Sequence, residues 1–217
     1  MRHAPYDGRS VMFSDHEGKK AIEIARTVLE KHVLKEDLPP LDPPESFRHK
    51  SGVFVTLTTH PGDDLRGCIG YPEPITPLID ALTDSAVSAA SRDPRFPPVH
   101  PGELGSIKVE VSLLTPPEEI KVGKSTELPA RISVGDDGLI VQRDGARGLL
   151  LPQVPVEWGW RAEEFLSQTC VKAGISPDAW HMPGTKVFRF QAEVFSEMEP
   201  RGKVVRRRLS EQHGCRG

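Results

Sequence analysis

Residues 52–71 read GVFVTLTTHPGDDLRGCIGY, and how this stretch folds decides the class of the whole chain. Residues 52–60 are rich in β-branched side chains, and PGDD at 61–64 separates them from LRGCIGY at 65–71. That is the pattern of two antiparallel strands joined by a four-residue loop. Side chains alternate along a strand, so Leu65 and Ile69 share one face while Arg66 and Cys68 share the other. Gly67 and Gly70 flank the thiol. Glycine weakens a strand interior, and where it occurs it marks a bend, a bulge or the close approach of a ligand or another backbone.

Upstream, Ser14 followed by Glu17 forms a capping box, and Ala21, Ile22, Ala25, Val28, Leu29 and Leu34 recur at helical spacing over 14–34. The four prolines of KEDLPPLDPPESF then forbid helix or central strand. Downstream, Thr76 as N-cap and Pro77 at the first helical position predict a buried helix over 77–92, with Ala81, Ala86, Ala89 and Ala90 permitting close packing. It runs into DPRFPP, where Asp93 leaves the helical region because proline follows it.

SIKVEVSLLT (106–115) alternates cleanly, with Ile107, Val109, Val111 and Leu113 on one face and Lys108, Glu110 and Ser112 on the other. GLIVQR and GLLLPQV around DGAR read as a second hairpin. From Trp158 onward, Ala162, Phe165, Leu166, Thr169, Cys170 and Ala173 follow a helical stripe that ends at Gly174, and TKVFRFQAEVFSE (185–197) closes the pattern as a strand. Strands come as hairpins with helices inserted, not in βαβ alternation, so the expectation is an α+β fold of antiparallel sheets with flanking helices. Pro/Gly-rich joins near 36–46 and 115–125 are the places where subdomains would meet.

The 217 residues carry a net charge of −3, which gives no global drive toward nucleic acid or anionic membrane. There is neither a signal-peptide pattern at the start nor an apolar run near the roughly 20 residues of a membrane span, so a soluble, cytoplasmic protein is expected. The three cysteines are too sparse for a disulfide scaffold, and without a CxxC pair or paired histidines no metal site is expected. The basic end EPRGKVVRRRLSEQHGCRG reads as a flexible tail over 199–217, with Cys215 incidental to it.

GVFVTL, LRGCIG, DPRFPP, VEVSLLTPPEEI, GLLLPQV and EEFLSQTCVKAG, in this order over roughly residues 10–197, resemble the AMMECR domain family, whose prokaryotic members are called AmmeMemoRadiSam system protein A. The resemblance implies a domain over 10–198 built from two intimately joined α+β subdomains, with the LRGCIG region lining a cleft between them. It implies little about chemistry, because the family has no established activity. By association it implies a modification pathway shared with a Memo-type dioxygenase-like protein and a radical S-adenosylmethionine enzyme; the cofactor is unknown.

Around that signature the candidate catalytic residues are Cys68, as a nucleophile, and Glu110, as a general base. Arg66, Gly67, Gly70, Asp93, Arg95 and Gln153 are candidates for ligand binding. An arginine beside a thiol lowers its pKa, and the glycines leave room for a substrate. Each has a plainer alternative. Cys68 reads equally as a small buried hydrophobe, Arg66 as the ion-pair partner of a buried acid such as Glu110, Asp93 as a helix-terminating turn and Gln153 as a strand-end hydrogen bond. Glu157 suits the cap of the helix that follows, Cys170 belongs to the core, and His60 stands too far along the ladder to complete a triad. Two functional classes follow: an enzyme or ligand-binding protein built on the cysteine, arginine and acid, or a non-catalytic adaptor that binds a protein or nucleic-acid partner.

Overall fold

The capping box holds at the first helix: Ser14 Oγ accepts from Glu17 N at 3.2 Å and the Glu17 carboxylate accepts from Ser14 N at 2.7 Å. In the computed structural model, which describes residues 13–207, this helix is α1 (Asp15–Leu34), closed by Lys35 in the left-handed region. Its apolar stripe packs against a second helix, α2 (Leu78–Ser91). Thr76 makes no cap there. Pro77 stands at the cap position, and the neighbouring chain takes up the free ends, with Leu78 N donating to the His49 carbonyl at 2.9 Å.

Both helices cover one face of a hairpin formed by β1 (Val53–Thr59) and β2 (Leu65–Tyr71), extended by β3 (Ile107–Leu114) on the other side of β1. The alternation places Val53, Val55 and Leu57 with Ile107, Val109, Val111 and Leu113 in this first core. The second half of the chain adds β4 (Glu118–Glu119), β5 (Asp137–Arg143) and β6 (Ala146–Leu150), then the helices α3 (Gln153–Glu157) and α4 (Ala162–Lys172). Asp144 and Gly145, both at positive φ, make the tight turn between β5 and β6. Two expectations change here. The strand ends at Leu150, so Gln153 opens a helix rather than closing a strand. The next helix begins at Ala162, and Glu157 ends α3 instead of capping it.

The long strand β7 (Lys186–Glu197) joins the halves. Its first half pairs with β5 and its second with β3, giving the antiparallel order β2-β1-β3-β7-β5-β6 among the described residues. The Pro116–Pro117 join lies where one edge of β7 passes from β3 to β4. A second core, containing Phe165, Leu166, Cys170 and Trp180, lies against β5 and the start of β7. Burying each large side chain of such a core contributes about 1.5–3 kcal/mol. A third, small cluster of Leu114, Ile140 and Phe190, with Phe54, Leu149 and Leu151 around it, draws on strands of both halves.

The basic end is not loose from residue 200. Residues 204–207 form β8 (Val204–Arg207), paired with Val194–Glu197 of β7. Arg206 donates to Asp15, Glu193 and the Phe13 carbonyl, and lies 4.6 Å over the Phe195 ring. Cys215 and the rest of 208–217 lie outside the described residues.

Candidate functional site

Cys68 sits in the middle of β2 on the face turned away from the helices, directly opposite Thr56 of β1. Its peptide N–H points outward from the sheet, so the two form a non-hydrogen-bonded pair, the closer of the two cross-strand arrangements. Thr56 Oγ1 donates to Cys68 Sγ at 3.2 Å. The row continues through the ladder: Thr56 faces Glu110 of β3, and Glu110 faces Ser196 of β7. A thiol, a hydroxyl, a carboxyl and a second hydroxyl thus line up across four strands.

The flanking glycines have packing reasons. A Cβ on Gly67 would run into the Ala89 carbonyl oxygen, because α2 lies directly on β2 at this point. At Gly70 it would meet the Val53 carbonyl and the Phe54 ring.

Asp93, at the exit of α2, is buried and turns its carboxylate onto the free edge of β2. It accepts from Cys68 N at 2.8 Å, from Arg95 N at 3.1 Å, and from the Arg95 guanidinium at 2.7 and 2.9 Å. Arg95 in turn donates to the Cys68 carbonyl at 3.3 Å. DPRFPP therefore holds both edge-facing backbone groups of Cys68. The Arg95 hydrogen bonds, foremost, hold the Asp93 carboxyl far below the usual carboxylate range.

Arg66 has a different partner from the one the sequence suggests. It grips Glu103 with two hydrogen bonds, at 2.7 and 3.1 Å, and donates to the Pro97 and Pro98 carbonyls, so it pairs with Glu103 and not with Glu110. Arg95 is the arginine that acts on the thiol. Even so, the Cys68 pKa is raised, not lowered: burial pushes it up, Asp93 and Glu110 add to that, and Thr56 and Arg95 offset only part.

Glu110 is half-buried, and burial raises its pKa, countered by Arg207, Ser196 and Lys108. The Arg207 guanidinium, brought by β8, stands 4.0 Å away. Two residues along the same face, Lys108 is buried and ion-paired with the exposed Asp63 of the β1–β2 loop. Gln153, at the start of α3, makes no hydrogen bond to this row; Leu151, two residues before it, packs in the same cluster as Phe54. The ion pair Arg147–Glu73, at 2.6 Å, also ties β6 to the segment after β2. His60 lies beyond the ladder, its N–H donating to the Ser106 carbonyl, and Thr58 is opposite Leu65.

Sequence reasoning passed over Thr56, Ser196 and Arg207. Alternation along VFVTLTT places Thr56 away from the core and was the available signal; Ser196 and Arg207 join the face only through pairing with β7 and β8. Among the described residues no group of three or more His, Cys, Asp or Glu side chains converges as a metal site would require.

The family described as AMMECR1 matches residues 22–195, in agreement with the motif resemblance. A Methanothermobacter thermautotrophicus protein is 54% identical over 199 residues, covering 91% of this chain and 99% of its own length. A Methanocaldococcus jannaschii protein is 52% identical over 193 residues, covering 89% and 96%. The crystal structure of an uncharacterised Pyrococcus horikoshii protein matches with a TM-score of 0.77 at 49% identity, over 90% of this chain and 98% of that one.

Proposed function

The chain belongs to the AMMECR1 family, a family of unestablished activity, and from that premise we propose that the sheet face carrying Cys68, Thr56 and Glu110 lines a cleft that binds a small anionic ligand and performs thiol chemistry on it. The observation that carries this reading is the cross-strand row, in which a half-buried thiol touches a hydroxyl at 3.2 Å and a carboxyl of raised pKa lies one strand further on. Cys68 acts as the nucleophile. Its S–H bond breaks as sulfur adds to a carbonyl carbon of the ligand, the C=O π pair moves onto the carbonyl oxygen as an alkoxide, and the thiol proton passes to Glu110, with Thr56 between them. A carboxyl of raised pKa is the better proton acceptor for a thiol. Asp93 is unsuited to that role, because Arg95 and two backbone amides already hold it.

The protein works in the cytoplasm, in a modification pathway with the Memo-type and radical S-adenosylmethionine partners that the resemblance implies. No helix among the described residues is long and apolar enough to cross a membrane.

The test is the pH profile of Cys68 alkylation by iodoacetamide, read by peptide mass spectrometry, in the native protein and in Glu110→Gln. The expected midpoint lies above the ordinary thiol value in the native protein and falls in the variant, because one of the charges that raises the thiol pKa is gone. Identical profiles would show that Glu110 does not act on the thiol. If, in addition, Cys68→Ala keeps every small-molecule contact of the native protein in a thermal-shift screen, the adaptor reading takes its place.

A further inference from the structure

On the face that holds Glu110, two residues away along β3, stands Lys108, a lysine whose side chain is 5% exposed. Burying an ammonium is costly unless a counter-charge accompanies it. The counter-charge here is Asp63, whose own side chain is 63% exposed and has no comparable need of a partner. The asymmetry is marked: the cation depends on the pair, whereas the anion would be equally stable in water.

Asp63 is also held in place. It occupies the left-handed region at φ 58°, where a residue with a Cβ sits at a cost that Asp and Asn bear best. Thr59 organises the turn, its carbonyl accepting from Asp63 N at 2.9 Å and its hydroxyl from Asp64 N at 3.2 Å. The loop thus aims one carboxylate inward over the edge of the sheet face, onto a buried cation beside Glu110.

We propose that Lys108 is the anchor for a carboxylate carried by the ligand, and that Asp63 occupies this position until the ligand arrives. The inference rests on the Cys68–Glu110 face being a ligand site, and it names the chemistry of that ligand: a small carboxylic acid whose carboxylate displaces Asp63 from Lys108. A singly charged carboxylate suits the position better than a phosphate dianion, because Glu110 shares the face and repels added negative charge. The exchange is one ion pair for another. Asp63 returns to water, and the ammonium remains paired.

The experiment titrates full-length native protein, Asp63→Asn and Lys108→Met with sodium acetate at constant ionic strength. Backbone amide shifts at 62–64 and 107–109 are followed, and inorganic phosphate serves as a parallel titrant. Asp63→Asn removes the internal competitor, so it should bind acetate at least about fivefold more tightly than the native protein, as expected for losing a partly exposed ion pair. Lys108→Met should bind at least about tenfold more weakly. Melting temperature gives a second readout that does not depend on Lys108→Met folding well: acetate should raise that of Asp63→Asn more than that of the native protein. Equal acetate affinity in the native protein and Asp63→Asn, or no saturable shift in Asp63→Asn, overturns the proposal. Phosphate binding Asp63→Asn more tightly than acetate overturns the assignment to a carboxylate. These outcomes are independent of the alkylation profile, so the anchor and the thiol reading fail separately.

Discussion

Replacing Asp93 with asparagine tests whether this carboxylate fixes the backbone of the thiol. Its side chain is 2% exposed and accepts from Cys68 N, Arg95 N and the Arg95 guanidinium. Asparagine keeps one carbonyl oxygen, so one backbone bond survives, but the charge is lost and an amide NH2 is set against donors. Breaking a buried ion pair costs about 3–5 kcal/mol, and the lower end, about 3 kcal/mol, applies because Arg95 is half-exposed and regains water. At about 2–4 °C per kcal/mol for a domain of this size, the variant should melt about 6–12 °C lower. The pH dependence supplies a second signature. The folded-state pKa of Asp93 is depressed, so its stabilisation is fully present above the unfolded-state value of about 3.9 and is lost as pH falls from there toward the folded-state value. The gap between native and variant should therefore be flat from about pH 7 to about pH 5, then shrink by up to about 1.4 kcal/mol per unit below about pH 3.9. Thermal melts of both proteins at about pH 7, 5 and 3 measure this. Melting at the native temperature at neutral pH, or a deficit as large at about pH 3 as at pH 7, refutes the reasoning.

Gly67→Ala should cost about 3 kcal/mol, because the obstacle is the backbone carbonyl of Ala89 and not a side chain that can move. Gly105→Ala, with nothing within 4 Å of the added carbon, is the control and should be near neutral in urea unfolding. Deleting residues 201–217 removes β8, the packing of Val204 and the Arg206 bonds to Asp15 and Glu193. At least about 3 kcal/mol should be lost, and a truncated protein with the full-length melting temperature would show that β8 adds nothing to the fold.

The parts legible in the sequence were those set by local rules. The capping box at Ser14, the period-2 alternation of 107–114 and the Asp144–Gly145 turn each follow from a few neighbouring residues, and each stands in the structure. What was not legible depended on distant pairing. Thr76 lost the cap position because His49, about thirty residues earlier, supplies the partner for Leu78 N. Arg66 and Glu110 lie on β2 and β3, with β1 between them, and the segment 97–103 folds back and takes the guanidinium for Glu103 and two proline carbonyls. The tail reads as loose because the five arginines and lysines of RGKVVRRR, without interleaved aromatics, resemble a solvated end, whereas β7 offers an edge that Val204 and Arg206 fit on opposite terms, one by packing and one by charge. For the site, alternation placed Cys68 and Glu110 on non-core faces, but only the β1–β2 and β1–β3 registers show that both face Thr56.

The edge of β2 explains how such a row stays open. A strand at the end of a sheet exposes unpaired N–H and C=O groups, which invite another strand. At Cys68 those groups are satisfied by the side chains of Asp93 and Arg95, so no further strand is needed beside the thiol and none is invited. A side-chain clamp occupies less of the edge than a strand would, and it makes the position of the thiol depend on the exit of α2. The same helix meets β2 at Gly67, one residue away, where only a hydrogen leaves it room. The helix against Gly67 and the clamp at Cys68 therefore fix this stretch of backbone, leaving the Cys68 side chain facing Thr56 and Glu110.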